Sequence, residues 1–69
     1  MDNFPEVMTV QQLAKFLQIG RGKAYELTKL PGFPAVYLGK RGTRIPKQSL
    51  LRWLEKPEAR EALRKLTIG

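Results

Sequence analysis

Sixty-nine residues fall below the roughly 100–200 expected for one domain, so the chain has one small core and no second functional unit. With no cysteine and no histidine, it has no disulfide framework, zinc-ligand set, thiol nucleophile or imidazole base. Thirteen Lys and Arg against six Asp and Glu give a net charge of +7, which on so small a surface favours a polyanionic partner. Nucleic acid is the first candidate and an anionic membrane surface the second. Residues 1–6 argue against membrane and export alike. They carry Asp2 and Glu6 without a basic n-region, and no apolar run in the chain approaches the ~20 residues of a membrane span. The expectation is a cytoplasmic protein that makes no membrane contact.

An arm, residues 1–8, precedes the first periodic segment. Residues 9–18 read as a helix. Thr9 and Gln12 form a capping box, each side chain satisfying an amide at the helix start. Val10, Leu13, Ala14 and Leu17 make one apolar stripe at i, i+3, i+4 and i+7, widened by Phe16 and Ile19. Gln11, Gln12, Lys15 and Gln18 face outward. Ile19 and Gly20 break the pattern, and residues 21–30 resume it with Ala24 and Leu27 inward. Arg21, Lys23, Tyr25, Glu26 and Lys29 point outward. Two helices joined by a short glycine-containing turn have the form of a helix-turn-helix, although any αα-hairpin shares it.

Pro31, Gly32 and Pro34 end the second helix. Residues 35–38 predict a short strand, Val36 and Leu38 alternating with Tyr37. Residues 39–42 predict a hairpin loop with glycines at both ends and Lys40 and Arg41 at its tip, and residues 43–45 the partner strand. Pro46 fits the first turn of a third helix, in which Leu50, Trp53 and Leu54 form a stripe anchored by the indole. After Pro57, residues 58–66 predict a fourth helix with Ala59, Ala62, Leu63 and Leu66 on one side. Arg60, Arg64 and Lys65 form a solvated face with Glu58 and Glu61. The sum is a small α+β domain of helix, turn, helix, two-stranded β-ribbon, helix and short C-terminal helix. The domain proper occupies residues 9–56, and residues 57–69 form the last helix and tail.

The run TVQQLAKFLQIGRGKAYELTKLPGFPAVYLGKRGTRIPKQSLLRWLE, from Thr9 to Glu55, resembles the excisionase family of small winged helix-turn-helix proteins, related to the DNA-binding end of MerR regulators. The stretch FPAVYLGKRGTRIPKQSLLRWL and the YELT helix carry most of the likeness. The resemblance implies that the helix over residues 21–30 enters the major groove and that the loop over residues 39–42 is a wing on the backbone or minor groove. Gly20 stands where the family usually has a serine-like N-cap, and Thr43 where an aromatic residue is common.

Within that frame, Arg21 and Lys23 are placed to meet base edges or phosphates; ordinary surface charge is the alternative. Tyr25 either donates to a phosphate or packs against the core. Glu26 either accepts from a cytosine amino group or faces Lys29. Gly22 leaves room for a close approach or has no role. Lys40, Arg41, Thr43, Arg44 and Lys47 form the wing set and position the duplex without reading it; charges that guard a hairpin edge are the alternative.

The function implied is sequence-specific duplex binding by an excisionase that bends DNA and assists an integrase. A phage or plasmid transcription regulator is the alternative. With Met1 at the start and little beyond the domain, no effector module is expected. A protein-interaction module using Leu63, Leu66 and Ile68 is a third reading, and the C-terminal helix is in any case the expected contact with an integrase or further copies of the chain. No cofactor, metal or small-molecule ligand is expected. Nor is catalysis, since Glu55, Glu58 and Glu61 are spaced as solvated helix residues rather than as an acid–base pair.

Overall fold

The first helix, α1 (Val10–Leu17), begins where its capping box dictates. The Gln12 amide donates to Thr9 Oγ1 at 3.1 Å and the Thr9 amide to Gln12 Oε1 at 2.9 Å. It ends at Gln18, which adopts the left-handed conformation at φ 58°, while the Ile19 amide reaches back to the Ala14 carbonyl at 2.9 Å. Such a six-to-one bond closes a Schellman turn, normally built on glycine because a side chain there is strained. The sequence assigns the break to Ile19 and Gly20. Both do lie between the helices, and the break begins one residue earlier, at the left-handed Gln18; Gly20, at φ −67°, is the N-cap of α2 (Arg21–Thr28).

The computed structural model describes residues 4–68, with side chains as far as Leu66. The start of the arm, including Asp2, and the Ile68 side chain assigned above to partner docking lie outside the described residues. Beyond α2 the chain forms β2 (Val36–Tyr37), a single 3₁₀ turn at Gly39–Arg41, β3 (Thr43–Pro46), α3 (Lys47–Leu54) and α4 (Pro57–Ile68). None of the helices among the described residues is long and apolar enough to cross a membrane.

The ribbon expected as two strands is a three-stranded antiparallel sheet. A strand β1 (Val7–Thr9), which the sequence places in the arm, pairs with β3 through Val7–Pro46, Met8–Ile45 and Thr9–Arg44, leaving β3 central and β2 at the edge. The physical reason is visible in burial. Side chains alternate across a strand, so Met8 and Ile45 share the inner face, and both are fully buried. A two-stranded ribbon is marginal in water; the third strand supplies the missing partner. Pro46 also differs from expectation, ending β3 as the residue before α3 instead of opening the helix. Its ring removes an amide that neither neighbour needs, and the next amide, Lys47, donates to the Glu6 carbonyl at 2.7 Å.

The core joins Met8, Leu13, Ala24, Leu27, Ile45, Leu50 and Trp53, with Ala59 of α4 completely buried against them. Two edge-to-face aromatic pairs close its flanks: Phe33 on Trp53 with ring centroids 4.7 Å apart, and Phe4 on Phe16 at 5.1 Å. Each pair is worth about 0.5–1.5 kcal/mol beyond its buried area. Phe33 thereby fastens the loop after α2 to α3, and Phe4 fastens the arm to α1.

Candidate nucleic-acid interface

Packing of α2 decides which of its residues face out. Ala24, Leu27 and Thr28 are buried. The side directly opposite is therefore the i, i+3, i+4, i+7 stripe Gly22, Tyr25, Glu26 and Lys29, all exposed. Arg21 and Lys23 flank it in the first turn, Arg21 exposed and Lys23 half-buried. Among the described residues, none of these cations forms an ion pair; the exposed pair of Arg64 with Glu61, at 3.2 Å, lies away from them on α4. Tyr25, left open between core and solvent, is 48% exposed and belongs to the outward stripe.

The start of α2 is bare. No side chain caps it, so the first amides of the helix have no intrahelical acceptor and point outward with the positive end of the helix dipole. Gly20 and Gly22 have no internal cause: neither has a positive φ, and a Cβ added at either would meet nothing within 4 Å. A glycine inside a helix costs roughly 1 kcal/mol against alanine. Here that cost leaves an open approach to backbone amides beside Arg21 and Lys23.

The wing is held from both sides. Gly39 and Gly42 take positive φ values of 64° and 90° around the 3₁₀ turn, a backbone path that side-chain-bearing residues avoid. Leu38 closes the loop by donating its amide to the Gly42 carbonyl at 2.8 Å. Lys40 and Arg41 are exposed at the tip. On β3, Thr43 and Arg44 are half-buried, and the Arg44 guanidinium donates to the Thr43 carbonyl at 3.0 Å, which lays it along the strand. Lys47 is held differently. Its Nζ donates to the Phe4 carbonyl at 3.2 Å, so its ammonium ties the arm to the start of α3.

One functional residue escapes the sequence reading. Val36 and Leu38, which alternate with Tyr37, are each 45% exposed. Tyr37, opposite Thr43, is 64% exposed, yet its hydroxyl donates to the Thr28 carbonyl at 2.8 Å. The last carbonyls of a helix lack intrahelical donors, so this bond caps α2 and fixes the distance between α2 and the wing. No sequence pattern marks it, because it joins a strand to a helix end across a proline-rich loop. Replacing Tyr37 by Phe removes the bond and leaves the ring. The expected result is a two- to tenfold loss of duplex affinity, matching about 0.5–1.5 kcal/mol for one hydrogen bond, with little change in the far-ultraviolet circular dichroism. Unchanged affinity would show that α2 and the wing hold their spacing without the tether.

The exposed cations at the start of α2 and at the wing tip thus stand on elements that one core and one tether hold together. Residues 7–57 match the family described as Helix-turn-helix domain. No curated protein and no solved structure matches the chain.

Proposed function

Since this chain belongs to the helix-turn-helix domain family, a DNA-binding class, we propose that it binds duplex DNA sequence-specifically, with α2 in the major groove and the Gly39–Gly42 loop as a wing on the flanking backbone. The observation that carries this reading is the outward side of α2. It holds polar and charged residues, a glycine, Gly22, without an internal role and cations without ion-pair partners, and the core needs none of them. In this reading Arg21 and Lys23 meet bases or phosphates at the helix start, where a recognition helix reaches deepest. Tyr25 and Lys29 follow along the stripe, and Glu26 discriminates by accepting from a cytosine amino group or repelling phosphate. Lys40, Arg41, Thr43 and Arg44 grip the backbone, and Lys47 contributes by fixing the arm that carries β1.

The role that best suits such a binder is an excisionase-type accessory factor: it acts in the cytoplasm, bends DNA near a recombination site and assists an integrase. The C-terminal helix would contact the integrase or a neighbouring copy. The resemblance of the wing and third-helix segment to excisionases supports this choice over a transcription regulator. The protein acts as a binding component, not a catalyst.

Selection of bound duplexes from a random pool tests the core of the proposal, with enrichment of one motif as the expected result. Arg21→Ala should then cost about 1–3 kcal/mol on the selected site and less on random duplex. Equal losses on both would assign Arg21 to the phosphates alone, and a pool without any enriched motif would overturn sequence-specific reading.

A further inference from the structure

A cleft of about 470 Å³ lies between the end of α2, the loop that follows it, and α4. Five residues of α4 line it, Glu58, Glu61, Ala62, Lys65 and Leu66, which at i, i+3, i+4, i+7 and i+8 form one continuous side of that helix. Glu26, Leu30 and Pro31 make the opposite wall, and Trp53 lies between. Leu30 is 38% exposed at the rim. The size falls within the roughly 300–1,000 Å³ of ligand-binding clefts.

Charge distinguishes this cleft from the rest of the surface. Three of the six acidic residues of a +7 chain stand on its walls, against one of its thirteen cations. One of the carboxylates, Glu61, also meets Arg64 at 3.2 Å on the exposed side of the helix. An apolar floor with a carboxylate rim repels nucleic acid phosphates and suits the opposite partner. We propose that the cleft is a docking site for a basic segment of a partner protein, one that places a large apolar side chain against Trp53, Ala62 and Leu66 and sets flanking lysines or arginines on Glu58 and Glu61. The cleft shares Glu26 with the outward stripe of α2 but takes in neither the cations of its first turn nor the wing, so its α4 wall stands whatever DNA transaction the protein serves.

The test uses the full chain and a displayed library of random dodecapeptides, from which enriched sequences are synthesised and titrated by fluorescence anisotropy and by amide shifts of the labelled protein. Enriched peptides should combine Lys or Arg with Leu, Phe or Trp and should shift Leu30, Ala62, Leu66 and the Trp53 indole. The double substitution Glu58→Lys, Glu61→Lys, at two exposed positions, should weaken them about tenfold, the loss of two rim ion pairs. Glu55→Lys, outside the cleft, should not. Duplex affinity of the double variant should hold or rise. Peptides without basic residues, shifts elsewhere, or binding indifferent to the charge reversal would overturn the proposal. So would a drop in duplex affinity of the double variant, which would place the cleft in the DNA contact. Concentration-dependent dimerisation that shifts the same residues and is abolished by the reversal would make the occupant a second copy of the chain and overturn it as well.

Discussion

Raising monovalent salt from 50 to 200 mM should weaken duplex binding roughly a thousandfold, if the six cations Arg21, Lys23, Lys29, Lys40, Arg41 and Arg44 each neutralise one phosphate. Every phosphate neutralised releases condensed counterions, giving a log–log slope of about −0.9 per contact and therefore near −5 in all. Lys47 is left out of the set because its ammonium already donates to the Phe4 carbonyl. The exposed wing-tip pair, Lys40 and Arg41, should account for nearly two units of that slope, so the Lys40→Ala, Arg41→Ala variant should give a slope near −3.5. Anisotropy titrations across the salt series read both values. A wild-type slope shallower than about −2 would mean that the net charge of +7 is not gathered on the duplex.

The second large effect is on stability, and it falls on a core residue outside the candidate interface. Met8→Ala should lower the melting temperature by at least about 8 °C. A buried Met truncated to Ala costs ~2–5 kcal/mol, and for a domain of this size each 1 kcal/mol is worth about 4–8 °C. Cores below about 70–80 residues rarely supply more than ~3–5 kcal/mol in total, so this one truncation approaches the whole margin. Met8 is fully buried and pairs with Ile45; its loss opens a void under the central strand and should release the wing with it. Thermal unfolding by circular dichroism measures the effect. A loss below about 4 °C would show that β1 contributes little to holding the sheet.

Why Met8 was not legible in the sequence, while Leu13 was, is a matter of length. The helix α1 offers two full turns over which an apolar stripe repeats, and its capping box names its first residue. A strand of three residues has no room for a period, and Val7, the residue beside Met8, is 52% exposed although apolar. The outward stripe of α2 could be read because the buried pair Ala24 and Leu27 fixes the helix's rotation. The tether from Tyr37 could not, since only folding brings residues 28 and 37 together. The cleft falls between these cases. The charges of α4 read as one solvated face, yet packing of Ala59 turns Glu58, Glu61 and Lys65 toward the cleft. The spacing of those residues with Ala62 and Leu66 was present in the sequence, but nothing local says that Leu30, Pro31 and Trp53 stand opposite.

The placement of β3 between two neighbours also sets the order in which the molecule comes apart. Val7 meets Pro46 across roughly forty residues of intervening chain, while α1 and α2 are joined through a turn of three residues, Gln18 to Gly20. Closing the longer loop costs more chain entropy before any contact repays it, so the helix pair can assemble while the sheet is still open. Local openings should begin at β2, whose outer edge is unpaired, and reach β3 last. Backbone amides of Ile45 should then be among the slowest to exchange with deuterium, and those of the wing tip among the fastest. The wing proposed to touch DNA should thus open first at its tip while its base stays anchored, so that it can adjust to the duplex backbone without unfolding the strand that carries it.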